Sequence, residues 1–165
     1  MKLFKRILCM VGILLSLGCT IPTQEIDYTE YEALLESPPT KPIETRCLEL
    51  INEYRSGLDL PPFLPLPIIK SVAHNHTQAM ITTQLLSHDG WGQRSQYLQF
   101  KTGAISVSEN VAYGYQTADQ MVAAWIASEG HHKNIISTKT HADICIEQDQ
   151  MMRLWATNLF ITCLP

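Results

Sequence analysis

The sequence predicts an α+β domain whose helices pack on a small, mostly antiparallel sheet. Three observations carry this. Apolar residues recur at helical spacing twice in the first half of the chain; residues 106–114, 142–148 and 153–162 are short segments with strand-like patterning; and the strand signals come late, with helical segments before and between them. The chain has 165 residues, 45% of them hydrophobic, which suffices for one core and hardly for two. No glycine period or sustained heptad is present, which excludes a collagen-like chain and a coiled coil. A formal charge of -4 excludes nucleic acid as the partner, because phosphate binding needs a basic face.

The first segment reads as an export signal. Lys2, Lys5 and Arg6 precede an apolar run over residues 7–17, too short for a hydrocarbon core that needs about 20 residues. The run ends in Ser16-Leu17-Gly18-Cys19, and Gly before Cys suits lipoprotein processing, so Cys19 is the expected site of lipidation and membrane attachment. Ser16 and Leu17 reverse the usual chemistry of the places before that Cys, which leaves ordinary cleavage nearby or a retained short anchor as alternatives. Residues 1–19 are thus the expected signal peptide. Its loss takes three of twelve cations and leaves nine against sixteen acids, a formal -7.

Residues 20–43 carry Glu25, Asp27, Glu30, Glu32 and Glu36, then Ser37-Pro38-Pro39-Thr40-Lys41-Pro42, and read as an acidic, proline-containing tether. The domain proper is expected over 44–165. Cys47, Leu48, Ile51 and Tyr54 form one helical face behind a Thr45 N-cap, with Gly57 to close the helix. A proline-rich connection over 58–67 leads to Pro67, which opens a second helix with Ile69, Val72, Ala73, His76, Met80 and Thr83 on one side. Gly90 and Gly92 read as a break. A strand is expected at 106–114, and Thr117-Ala118-Asp119-Gln120 is a capping box for a helix through Trp125, with Ala118, Met121, Val122 and Trp125 inward. The segments 142–148 and 153–162 form a hairpin around Asp149.

Chemistry-bearing residues sit in polar stretches: Ser87-His88-Asp89-Gly90, Ser108-Glu109-Asn110 and Ser128-Glu129-Gly130-His131-His132. Histidines and a glutamate on separate loops could converge on zinc or another divalent cation, since imidazole and carboxylate both bind it, although no HExxH is present.

The ordered set Ala73-x-x-His76-x-x-x-Met80, Leu86-Ser87-His88-Asp89-Gly90 with Arg94, Ser108-Glu109-Asn110-Val111-Ala112-Tyr113-Gly114, Trp125-x-x-Ser128-x-Gly130-His131-x-x-Asn134-Ile135-Ile136 and Trp155-x-x-x-x-Phe160 resembles the CAP superfamily. This is the SCP domain of cysteine-rich secretory proteins, antigen 5 and pathogenesis-related 1 proteins. Leu50-Ile51-Asn52-Glu53-Tyr54-Arg55 resembles that family's first helix. The resemblance implies a three-layer α-β-α sandwich with a large cleft, where two histidines and two acids often gather and can hold a divalent cation. His88 matches the first cleft histidine, Glu109 the first acid, and His131 the second histidine as bacterial members place it. The second acid departs from the pattern, because Ser128 stands where eukaryotic members have Glu; Glu129 is one residue on, which on a helix turns the side chain by about 100°. A His88-Glu109-His131 site is therefore the expectation.

Other residues have blander readings. His76 lies on an apolar stripe and is expected to be packed in the core; His74 and His132 are expected to face solvent, His141 to lie at a strand edge, Trp125 and Trp155 to be core, and Asn134 to support the loop after His131. Outside the leader Cys47, Cys145 and Cys163 remain, an odd number for an oxidising compartment. A hairpin centred near 149 would place Cys145 opposite residue 154, far from Cys163, which disfavours that pair; a Cys47–Cys163 disulfide tying the first helix to the C-terminal tail is preferred, with Cys145 as a buried thiol.

Two functions compete. One is an exported, extracytoplasmic binding module of the cell envelope, membrane-attached through Cys19, whose cleft takes a small lipid, peptide or glycan. The other is a hydrolase, peptidase or esterase, in which His88 or His131 acts as base beside Glu109 and Ser87 or Ser108 is the nucleophile; neither serine lies in a GxSxG elbow. A purely structural envelope protein is the third reading.

Overall fold

The computed structural model describes residues 27–163; the expected signal, Cys19 and residues 20–26 lie outside the described residues. Strands β1 (Ser106–Tyr113), β2 (His141–Gln148) and β3 (Leu154–Thr162) form one antiparallel sheet in the order β1-β3-β2. Helices α1 (Thr29–Ala33), α2 (Pro42–Ser56), α3 (Pro67–Thr83), α4 (Trp91–Thr102), α5 (Ala118–Ala127) and α6 (Glu129–Ile135) cover it. Among the described residues no helix is long and apolar enough to cross a membrane.

Strand alternation produces the layers. Ala142, Ile144 and Ile146 of β2 and Ala156 and Phe160 of β3 face Cys47 and Ile51 of α2, Met121 and Trp125 of α5 and Ile135 of α6. The intervening Cys145, Leu159 and Ile161 face Tyr31 of α1, Ile69, Val72 and Ala73 of α3, and Tyr97 and Leu98 of α4. Ile51, Met121 and Phe160 are 0% exposed and Trp125 is 1% exposed; burying such a side chain contributes about 1.5–3 kcal/mol, so two covered faces give a sufficient core. The result is the expected α-β-α sandwich.

Several boundaries differ from expectation. The tether gives way to packed chain at Tyr28: Tyr28 and Tyr31 are buried, with ring centroids 5.3 and 4.7 Å from that of Tyr97, and Lys101 reaches Glu32 at 2.6 Å. Helix α2 starts at Pro42, not behind Thr45, because Pro42 takes the first helical position and Lys41 N donates to Glu44 Oε2 at 2.7 Å. Glu44 then accepts from Lys70 Nζ at 2.5 Å and from Ile146 N at 2.9 Å, joining α2 to α3 and β2.

The Gly90–Gly92 break is instead the start of α4. Gly90 (φ 72°) and Gly103 (φ 67°) bracket the helix, and Arg94, Tyr97 and Leu98 point inward. Helix α5 ends at Ser128, whose extended backbone (φ -94°, ψ 118°) lets the same residue precede α6. The β2–β3 hairpin forms, with a longer turn than expected: Gln148 pairs with Leu154 and Cys145 with Thr157. Asp149 organises that turn, accepting from Met151 N, Arg153 N, Arg153 Nε and Trp155 Nε1 at 2.7–3.1 Å. The adjacent Arg153 guanidinium holds its carboxyl far below the usual carboxylate range.

The expected Cys47–Cys163 disulfide is not formed. Cys47 lies in the cluster on one face of the sheet and Cys163 packs against the cluster on the other, and both are free thiols, as is the buried Cys145.

Candidate functional site

Glu109 and Asn110 are neighbours on β1, so they point to opposite faces, and β1 is an edge strand. This lets one dipeptide hold two halves of a site. On the α3–α4 side, Glu109 is buried and meets Arg94 in a two-pronged pair, Nε to Oε2 and Nη2 to Oε1, each 2.9 Å. Arg94 Nη1 also donates to Asp89 O at 2.5 Å, fixing the loop that carries His88. Gly90 is required there: its φ is +72°, and a Cβ would stand 3.2 Å from Arg94 Nη1. His88 Nδ1 donates to Glu109 Oε1 at 2.7 Å while its ring stays about half exposed. His76, 3% exposed, donates from Nε2 to Ser87 O at 2.9 Å and stands 3.9 Å from Glu109 Oε1. It is the packed histidine the sequence predicts.

On the other side, Asn134 Nδ2 donates to Glu109 O at 3.2 Å and Asn110 Oδ1 at 2.7 Å, and Asn110 Nδ2 donates to His131 O at 3.2 Å. Asn134 thus hangs α6 from β1 and does more than support a loop. His131 lines a pocket of about 190 Å³ with Leu86, Val111, Tyr115, Trp125 and Ser128. Burial, and then the nearby His88, push its pKa below the ordinary histidine value, so it meets a ligand as a neutral imidazole.

The expected cation trio does not fit. Both Glu109 oxygens pair with the Arg94 guanidinium, and among the described residues His88, Glu109 and His131 do not bring one donor each to within 4.8 Å of one another. Glu129 is exposed on α6 and pairs with Lys133 at 2.8 Å. The serine nucleophiles are not assembled either: Ser87 Oγ accepts from Asp89 N at 3.3 Å, and Ser108 Oγ is buried without a hydrogen-bond partner. His132 is tied to Tyr54 Oη at 3.0 Å, and His74 is buried, so neither is a free surface histidine. His141, half-buried, opens the edge strand β2.

Arg94 is the functional residue that sequence reasoning left without a role. Its signal was present: Arg94, Tyr97 and Leu98 stand at i, i+3 and i+4 behind Gly90.

His76 gives a pH prediction. Its pKa is pushed down by burial and then by Arg94. The unfolded imidazole therefore takes up a proton before the buried one does, so stability falls as pH drops below about 6.5, by up to about 1.4 kcal/mol per pH unit. Urea unfolding of His76→Gln, whose amide can still donate to Ser87 O, is expected to show a flatter dependence between pH 6.5 and 5. An unchanged slope would place the acid sensitivity elsewhere.

The sequence profile of the cysteine-rich secretory protein family, CAP, matches residues 48–142. Protein YkwD of Bacillus subtilis is 30% identical over 105 residues, covering 61% of this chain and 41% of that protein. An outer surface protein of Borrelia burgdorferi has the same fold, with a TM-score of 0.69 at 18% identity over 79% of this chain and 99% of its own. An extracellular SCP-domain protein of Bacillus anthracis has a TM-score of 0.60 at 27% identity, covering 76% of this chain and 45% of its own. The chain spans less than half the length of these two Bacillus proteins. With the profile running from α2 into β2 across Arg94, Glu109, His131 and Asn134, the chain belongs to the cysteine-rich secretory protein (CAP) family.

Proposed function

We propose that this CAP domain works outside the cytoplasm as a binding module, held at a membrane by lipid on Cys19, and that its ligand enters the pocket beside His131. One observation carries the choice of binding over hydrolysis: although Glu109 orients His88, neither candidate serine is set as a nucleophile beside it, Ser87 Oγ accepting from Asp89 N at 3.3 Å and Ser108 Oγ being buried without a hydrogen-bond partner. What remains is a pocket walled by Leu86, Val111, Tyr115 and Trp125 with one neutral imidazole, a surface suited to an apolar group bearing a single hydrogen-bonding atom. A small lipid, a peptide side chain and a glycan ring each offer that combination. The export signal at the N-terminus and the printed descriptions of the Borrelia and B. anthracis proteins, outer surface and extracellular, support the location.

The test immobilises the full-length chain and presents fatty acids, short peptides and glycans. Saturable binding to one class, weakened about tenfold or more by His131→Ala at unchanged melting temperature, is expected. Ester or peptide turnover that disappears in the same variant would replace the binding reading with the hydrolase. Palmitate labelling of wild type but not of Cys19→Ser is the expected result for the anchor.

A further inference from the structure

The far edge of the sheet carries a second cluster of donors, unrelated to the pocket at β1. Cys145 and Glu147 are two residues apart on β2, so both face α3, where His74 meets them. Cys145 Sγ lies 3.4 Å from His74 Nδ1 and 3.8 Å from Glu147 Oε1, and Nδ1 lies 3.5 Å from the same carboxylate oxygen. We propose that His74 Nδ1, Cys145 Sγ and the Glu147 carboxylate bind one zinc-like divalent cation.

The spacing is that of a tetrahedral ion with these three ligand types. Metal–ligand lengths of about 2.3 Å to sulfur, 2.05 Å to nitrogen and 2.1 Å to oxygen imply separations of about 3.6 Å (S–N), 3.6 Å (S–O) and 3.4 Å (N–O). The three distances present each fall within about 0.2 Å of those values. His74 is 8% exposed, and among the described residues its polar partners are the cluster itself, with Nδ1 hydrogen-bonded to Cys145 Sγ at 3.4 Å and 3.5 Å from Glu147 Oε1, and Glu36 on Nε2 at 3.5 Å. On the far side of the ring, Glu36 Oε2 stands 3.5 Å from Nε2, where it can take the proton that nitrogen carries when Nδ1 binds metal. Carboxylate-oriented histidines of this kind recur around zinc.

Access and charge agree. A pocket of about 520 Å³, lined by Leu34, Glu36, His74, Asn75, Gln78 and Glu147, opens two of the three donors, His74 and Glu147, to solvent, while Cys145 is fully buried beside them. Lys41 Nζ sits 2.5 Å from Glu147 Oε1 and supplies the positive charge in the metal-free protein. Its side chain is 37% exposed, so it can withdraw as the ion enters. Burial and the neighbouring Glu44 and Glu147 hold the Cys145 thiol protonated until then; on binding, the S–H proton leaves to solvent and the thiolate forms the bond to the metal.

The full 165-residue chain, purified in detergent, stripped of metal and kept reduced by a thiol-free reductant, would be titrated with Zn²⁺ alone and with Co²⁺ as a coloured substitute. One equivalent is expected to bind, with a near-ultraviolet sulfur-to-cobalt band and the intense visible bands of a tetrahedral ion. Cys145→Ser should remove the sulfur band, and His74→Gln and Glu147→Gln should each weaken Zn²⁺ binding at least about tenfold. Lys41→Met should tighten it, and His88→Ala should leave it unchanged. Glu147→Gln, at a partly exposed position, keeps the test decisive if the buried cysteine variant does not fold. Absence of zinc binding, a sulfur band that persists in Cys145→Ser, or unchanged affinity in both His74→Gln and Glu147→Gln would overturn the site.

Discussion

Replacing Glu109 with glutamine is expected to lower folding stability by about 3–5 kcal/mol, with a melting temperature lower by about 10 °C or more. The substitution keeps the shape of the side chain and removes its charge. Arg94 is then left buried without a counter-charge, its guanidinium fork facing an amide that offers one acceptor in place of two. A double-mutant cycle with Arg94→Met separates the two contributions. Removing both charges should recover much of the loss, since an apolar replacement of a whole buried pair is often nearly neutral, whereas each single change strands a charge. Hydrogen exchange should speed up at residues 87–90, because Arg94 also holds that loop through Asp89 O. A loss below about 1 kcal/mol in urea unfolding would mean that the pair behaves as a solvated one and that the cleft is not preorganised.

Arg55→Ala is expected to be as damaging, about 3–5 kcal/mol by the same measurement. Arg55 is 0% exposed. Its Nε donates to Pro61 O at 2.8 Å, and its Nη1 donates to Ile135 O at 2.6 Å and Ser137 O at 2.8 Å. Its guanidinium carbon stands 3.7 Å above the centre of the Phe63 ring. One side chain therefore ties the connection after α2 to the end of α6 while stacking on the ring between them. Three carbonyls lose their donor in the alanine variant, and the planar stack is lost with them. Arg55→Lys should recover only a minor part, because a single ammonium cannot cover three diverging acceptors and stack flat on an aromatic face. A lysine variant as stable as wild type would contradict the planar-fork account.

The sequence disclosed the parts of this molecule that periodicity encodes. Helix α3 begins at Pro67 as expected, with Ile69, Val72, Ala73, His76 and Met80 buried, and the capping-box helix opens at Thr117, whose side chain accepts from Gln120 N at 3.2 Å. The late hairpin was also legible, and its consecutive apolar residues, such as Ile144, Cys145 and Ile146 on β2 and Leu159, Phe160 and Ile161 on β3, fall in turn into the two clusters on opposite faces. What escaped were features set by long-range electrostatics. Glu44 is 1% exposed at a position where a carboxylate reads as solvated, and besides the local Lys41 N its partners are Lys70 and Ile146, both remote in sequence. Helix α4 was hidden by Gly90 and Gly92, which look alike in sequence although only Gly90 adopts a positive φ. At the cleft, the family resemblance set His88 beside Glu109, and the two hydrogen-bond at 2.7 Å, but it could not reveal that Arg94 pairs with both oxygens of that carboxylate.

The burial of Tyr28 changes how far the domain could travel from a surface. A 24-residue free tether between Cys19 and the domain would extend to about 80 Å, enough for the cleft to search well above lipid headgroups. With Tyr28 and Tyr31 wedged against Tyr97, only eight residues separate Cys19 from the first packed side chain, a leash of about 30 Å at full stretch. Under the proposed attachment, the domain would therefore patrol a thin layer at the membrane, and α1 and α4, which lie closest to the leash, would be the elements facing the bilayer.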